Sequence, residues 1–443
     1  MKKAVLVVDH KHRDLEGIAL IAHHLYTKHK IFPFITTTKN EISSLIKYRP
    51  DIILVQHVRH EHQREFLTYC KEKNIKIALS LAEGFPRRPE DIIFSIGKSE
   101  FVKLIDLILP WGRILANSCR DSTFTDNATI SETGSPRFDY HSKRLTNIAQ
   151  AKQRIHHAFS IEKGRKIILW TTNFGYANYP EGDDALIRFI KNPLASDHRI
   201  SDTFREKVHD HNLCFEKTTE SVLRLAKEFP DITFLIKIHP SESVHCYLQH
   251  FSSYGNVIVF QHHQNVTLSD LLLVCTIKIS WRCSTSAEAW LANLEHPNIE
   301  YQPDGLVLDD FDYLSLGNDR VSNYHDLHNL ITRYLGGQTI PAELVAVRRQ
   351  FIRDYLYSDD GKSAERCASR ISDFLNSHST DKTVTLKSSH IYWRLLKNYR
   401  FNRAWVALPR SSTHPKYLSK NDVDRCMHWC SRAYNETAEY AFL

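Results

Sequence analysis

Short apolar runs separated by longer stretches of mixed polarity set the rhythm of this chain. "KAVLVVD" (3–9), "DIILVQH" (51–57) and "IKIALSLAEG" (75–84) are short, nearly continuous and rich in Val, Ile and Leu, which predicts strands covered on both faces. Between them, residues 15–29 and "HQREFLTYCKEKN" (62–74) carry helical periodicity. Strands alternating with helices of this length predict a parallel sheet. "EFVKLIDLILPWG" (100–112) and a Ser/Thr/Asp-rich stretch follow, then "TISETGSPRFDYHSKR" (129–144), where Gly134 and Pro136 mark a turn.

The pattern then restarts. "RKIILWTTNFGYAN" (165–178) leads into a polar stretch to about residue 200 and a helical pattern ending at Phe229; "ITFLIKIHPSE" (232–242), "NVIVF" (256–260), "LLLVCTIKISW" (271–281) and "STSAEAWLANL" (284–294) come next. The expectation is an α/β protein of two Rossmann-like domains facing a cleft. An N-terminal, acceptor-side domain spans 1–150 and a nucleotide-binding domain spans 151–340, joined by a charged helical connector within 140–162. A helical basic segment, 341–443, packs back on the first domain. Ligands of such folds lie beyond the carboxyl ends of the strands, so the cleft is the default site.

Composition changes this picture little: 42% apolar and 25% charged residues are ordinary for a soluble globular chain of 443 residues. The apolar run after Met1 is cut off by His10, Lys11, His12, Arg13 and Asp14, too early for a secretory leader. No window approaches a membrane span, so the expected location is cytoplasmic. Nine scattered cysteines read as reduced thiols; "CMHWC" (426–430) has no second cluster at zinc spacing. The net charge of +7 gains meaning from 382–420, where nine Lys and Arg occur without Asp or Glu, among Tyr392, Trp393, Tyr399, Phe401 and Trp405. This stretch reads either as a contact with the anionic inner-membrane face or as a solvated face packed on the first domain. No nucleic-acid module accompanies it, and nucleic acid is not an expected partner.

Candidate chemistry gathers at strand ends. His239 closes an apolar run, and Pro240 holds it extended, so its imidazole can assist a departing nucleotide; an ordinary strand-ending turn is the bland reading. Ser284, Thr285 and Ser286 can cap the helix that begins there and form an anion site. Glu288 in its first turn can accept ribose hydroxyls or simply favour the helix dipole. Glu83, at the end of 75–84, is placed to take a proton from an acceptor hydroxyl. Lys237, Lys278 and Arg282 can supply cationic charge. Asp9, His10 and Arg13 end the first strand, where an acceptor would bind. Asp183, Asp184 and Asp210 are candidates for a carboxylate nucleophile. His57, His60 and His62 with Glu61 read as a solvated cluster, and "LDDFDY" (308–313) as an acidic turn. No metal and no cofactor are expected, and the absence of a Walker or Gly-x-Gly-x-x-Gly loop argues against an ATPase or dehydrogenase.

Taken together, "HPSE", then "CSTSAEA" and "EYQP", with "VVDHKHRDLEG", Glu83-Gly84, "TGSPRFD" and "TTNFGYAN", resemble the bacterial surface carbohydrate biosynthesis family found with lipopolysaccharide and capsule genes, over 1 to about 340. The resemblance implies the glycosyltransferase B arrangement and a nucleotide-activated donor. It extends to bacterial β-Kdo and sialyl transferases, by which Glu83 would be the base, His239 would assist CMP departure, and Ser284, Thr285 and Ser286 would hold phosphate. Departures stand at Ala82, at Ile238 and in "SWRC". The function expected is therefore transfer of a sugar, a CMP-linked keto acid such as Kdo, to a glycan or lipid-linked acceptor. Two alternatives remain open: a polyol-phosphate transferase with a CDP-linked donor, and a non-catalytic scaffold of the same fold.

Overall fold

The computed structural model describes residues 1–59, 63–82, 84–85, 96–142, 145, 147–178, 198–307, 314–378 and 417–442. The chain divides into two compact units: unit 1 comprises 1–145 with 351–443, and unit 2 comprises 146–350.

Unit 1 is built on a seven-stranded sheet in the order β13-β2-β1-β3-β4-β5-β6, with every pairing parallel. Its strands are β1 (Lys3–Val8), β2 (Phe32–Thr37), β3 (Ile52–Val55), β4 (Lys76–Ser80), β5 (Leu107–Leu109), β6 (Thr129–Ile130) and, from the far end of the chain, β13 (Ala441–Phe442). Side chains alternate across a strand, and both faces of β1 are used. Ala4, Leu6 and Val8 enter the core with the helix Lys11–His29, while Val5 and Val7 are buried as well. That double burial is why the run reads as continuously apolar. The helices Ser363–Ser377 and Lys420–Tyr434 lie on Lys11–His29 and add Cys367, Ala368, Ile371, Val423, Met427 and Cys430 to this core. Cys426 and Cys430 of "CMHWC" thus face the interior, and burial pushes the Cys430 thiol up to about 12.

Unit 2 repeats the design with β7 (Ile167–Thr171), β8 (Thr233–Lys237), β9 (Val257–Phe260), β10 (Ile277–Ser280), β11 (Asn298–Tyr301) and β12 (Asp319–Val321), in the order β12-β11-β10-β7-β8-β9. All its pairings are parallel. Ile168, Trp170, Phe234 and Ile236 pack on one face of the sheet, and Ile167, Leu169 and Leu235 on the other. The strands run outward from β7 through β8 to β9, then return with β10 on the opposite side of β7. The reversal lies at β7 and β10, beyond whose carboxyl ends open α/β sheets bind ligands. In unit 1 the same reversal lies between β1 and β3. Among the described residues no helix is long and apolar enough to cross a membrane. The basic stretch 382–420 lies outside the described residues up to 416.

Candidate active site

Three loops meet at the reversal in unit 2. After β7 come Thr172, Asn173, Phe174 and Gly175; after β8 come Ile238, His239, Pro240, Ser241 and Glu242; after β10 come Trp281, Arg282 and Cys283, leading into the helix Thr285–Ala292. The backbone N–H of His239 donates to Thr172 Oγ1 at 2.9 Å. The Ser241 N–H donates to His239 Nδ1 at 3.2 Å, and Ser241 Oγ lies 2.6 Å from the same nitrogen. A backbone amide can only donate, so Nδ1 is an acceptor and the neutral ring carries its proton on Nε2. His239 itself is exposed. Gln261 Nε2 donates to the His239 and Glu242 carbonyls, each at 3.0 Å, which pins the turn from below.

Glu242 is the brace between two of these loops. It is buried, and its Oε1 accepts the Thr172 hydroxyl at 3.0 Å and the Phe174 N–H at 2.9 Å; Oε2 accepts the Tyr247 hydroxyl. Burial raises its pKa, and these hydrogen bonds pull it back. Gly175 lies close to the same turn, and a Cβ there would come 2.8 Å from Ser241 Oγ.

On the other side of β7, the Thr285 and Thr171 hydroxyls bond at 3.0 Å, and Thr285 also donates to Cys283 Sγ at 3.1 Å. No side chain caps the helix at Ser284, contrary to the expectation, because Ser284 is itself helical (φ −59, ψ −19) where a capping residue needs extended backbone. Ser284 and Thr285 are half-buried, and Arg282 sets its guanidinium over the Trp281 ring, 5.3 Å from the centroid. Ser286 and Glu288, expected beside the nucleotide, have buried side chains. Ser286 is fully buried and receives hydrogen bonds from Lys278 Nζ at 3.2 Å and Asn318 Nδ2 at 3.0 Å; Glu288 is buried too, within the electrostatic reach of Lys237 and Lys278. Lys237, the last residue of β8, is half-buried, and burial lowers its pKa against the pull of Cys283, Glu288 and Glu242. Asp210 is buried and accepts the Val307 N–H at 2.8 Å. Thr171, Thr172 and Asn173 were quoted in "TTNFGYAN" but given no role; their position after an apolar strand was the available signal.

The reversal in unit 1 gathers Asp9, His10 and Arg13. Arg13 bonds Asp9 at 3.2 Å and Asp14 at 2.7 Å, His57 Nε2 lies 3.5 Å from Asp9, and Gln56 accepts the Asp9 N–H at 3.3 Å. His10 precedes the helix Lys11–His29, its own N–H donating to Asp14 at 2.9 Å. Behind Asp9, the wholly buried Glu41 has its carboxyl pushed up to about 8 by burial and by the Asp9 charge. Glu83, His60, Glu61, His62, Asp183, Asp184 and 308–313 lie outside the described residues.

Two α/β domains on all-parallel sheets, each with one strand reversal, define a glycosyltransferase B-like class of fold. UDP-GlcNAc 2-epimerase from Neisseria meningitidis, bound to UDP-GlcNAc, shares the fold with a TM-score of 0.54 at 15% identity over 85% of this chain and all (100%) of that one. The S. aureus MnaA–UDP co-structure gives 0.52 at 14% identity, over 85% and 97% of the two chains. The wall teichoic acid polymerase TagF gives 0.55 at 13%, over 85% and 90%. No curated protein matches the sequence. The profile of the CDP-glycerol:poly(glycerophosphate) glycerophosphotransferase family matches residues 113–373, more than half of the chain, and the chain belongs to that family. It is thereby a transferase of the kind that draws on a nucleotide-linked donor. The match is to a glycerophosphotransferase family and not to the β-Kdo and sialyl transferases that the motifs resemble, and it fits the CDP-linked alternative better than the CMP-linked keto acid.

Proposed function

We propose that this protein is a surface-polymer transferase that moves a polyol-phosphate unit from a CDP-linked donor to the hydroxyl of a growing acceptor. In this reaction the acceptor oxygen attacks the β-phosphorus, the anhydride bond to the α-phosphate breaks, and CMP leaves as a phosphodiester forms. The observation that carries the reading is the tautomer of His239 within a chain of this family: an Nε2–H at the carboxyl end of β8 suits donation to the departing phosphate oxygen. Arg282, Lys237 and the start of the helix Thr285–Ala292 supply positive potential for the pyrophosphate. Glu83 is assigned the acceptor's proton, and the Asp9, His10 and Arg13 group is assigned the acceptor's polar end. TagF soaked with CDPG supports the choice of nucleotide.

Binding tests the donor assignment, because a ligand held only by the folded state raises apparent stability. In thermal-shift titrations of the full chain, CDP and CMP are expected to raise the melting temperature while UDP and GDP leave it unchanged. Stabilisation by UDP or GDP alone would overturn the assignment, and silence towards all four nucleotides would return the chain to the scaffold reading.

A further inference from the structure

Glu300 opens the "EYQP" segment and is 1% exposed at the end of β11. Its Oε1 accepts the backbone N–H of Arg282, and its Oε2 accepts Asn318 Nδ2 at 3.1 Å and the Ser280 hydroxyl at 3.5 Å. Lys278, wholly buried on the neighbouring β10, donates to Ser280 at 2.7 Å and Ser286 at 3.2 Å. Asn318 closes the cluster by donating to Ser286 at 3.0 Å and accepting Trp290 Nε1 at 3.2 Å. Two opposite charges are thus enclosed together, an arrangement that costs desolvation and is weak evidence for stability in itself.

What this cluster reaches towards the site is a single turn. Arg282 has φ +46, a left-handed conformation that a non-glycine residue rarely holds without support. Support comes from both sides: Glu300 takes the Arg282 N–H, and Asn173 Nδ2 donates to the Arg282 carbonyl at 2.8 Å. The guanidinium over Trp281 and the helix starting at Thr285 follow from that turn. Resting on the donor reading above, we propose that Glu300, with Lys278 as its buried counter-charge, is a positioning residue. It fixes the Arg282 turn, and through it the cation and helix start that receive the donor's pyrophosphate.

The test pairs a ligand-free readout with a binding one on the full chain. Trypsin cuts after arginine, so cleavage between Arg282 and Cys283, identified by mass spectrometry, reports whether the turn is held; calorimetry with CDP reports its consequence. Lys278→Met with Glu300→Gln removes both charges but keeps an acceptor for the amide, whereas Lys278→Met with Glu300→Leu removes the acceptor as well. The glutamine pair is expected to stay uncut and to bind CDP within about threefold of wild type; the leucine pair is expected to be cut there and to lose about tenfold or more. A leucine pair that stays uncut and binds CDP like wild type overturns the role. Should the leucine pair not fold, Glu300→Asp, which keeps the charge near Lys278 but draws the acceptor back from the Arg282 N–H, decides by the same two outcomes. Failure of the wild type to bind CDP would sink the donor reading, and cleavage in the leucine pair would then still decide whether Glu300 holds the turn.

Discussion

A histidine that assists a leaving phosphate needs its proton on the nitrogen that faces the substrate, and here one neighbour settles which nitrogen that is. The Ser241 amide claims Nδ1, so His239→Ala removes a set donor and is expected to lower kcat by roughly 10²–10⁴, the usual share of one acid–base group. Steady-state kinetics with the melting temperature unchanged would show it; an unaltered kcat would remove His239 from the chemistry. The histidine was legible as a His-Pro at the end of an apolar run, but its tautomer was not, because that depends on how the turn closes. Glu41 gives a residue-scale prediction of another kind. Its folded pKa of about 8 stands above the ordinary 4.5, so the folded chain binds more protons between those values and stability falls as pH rises from about 4.5 to 8. Glu41→Gln is expected to flatten that decline in melting temperature, while an unchanged slope would contradict the protonated state.

At the scale of elements, sequence pattern and packing compete in ways a single substitution can separate. Gly17 sits within the helix Lys11–His29, where alanine is the better helix former by about 1 kcal/mol, yet a Cβ there would lie 2.7 Å from the Arg137 nitrogen and 2.9 Å from the Pro136 carbonyl carbon. Backbone cannot rotate aside as a side chain can, so Gly17→Ala is expected to lower the melting temperature by about 5 °C. A rise in melting temperature would show that propensity outweighs packing here. The same competition explains which elements were legible. β1, β3, β4, β7, β8 and β10 announce themselves because both faces are buried. β2 does not, as Pro33 and its threonines break the apolar run, and β6, β12 and β13, of 2 or 3 residues, are too short to carry a period. The burial of Ser286 and Glu288 was hidden for a related reason: a polar residue in the first turn of a helix looks alike whether it faces solvent or the interior.

For the whole molecule, the two series of alternating strands and helices made the class of fold readable. The chain returns to unit 1 at residue 351, a position hard to read from the pattern because the helices of that segment are amphipathic like those of either unit. Sequence motifs pointed to strand ends for the donor and to a CMP-linked keto acid, whereas the family match fits the CDP-linked alternative better. His-Pro and Ser/Thr loops of this kind suit sugar transfer and phosphate transfer alike, and the bond that breaks is not written in them. The most direct measurement is therefore phosphorus NMR of the products when the full chain is given CDP-glycerol and a polyol-phosphate primer. The account predicts a new phosphodiester resonance with one CMP released per bond formed; release of CDP with no new phosphodiester would contradict it.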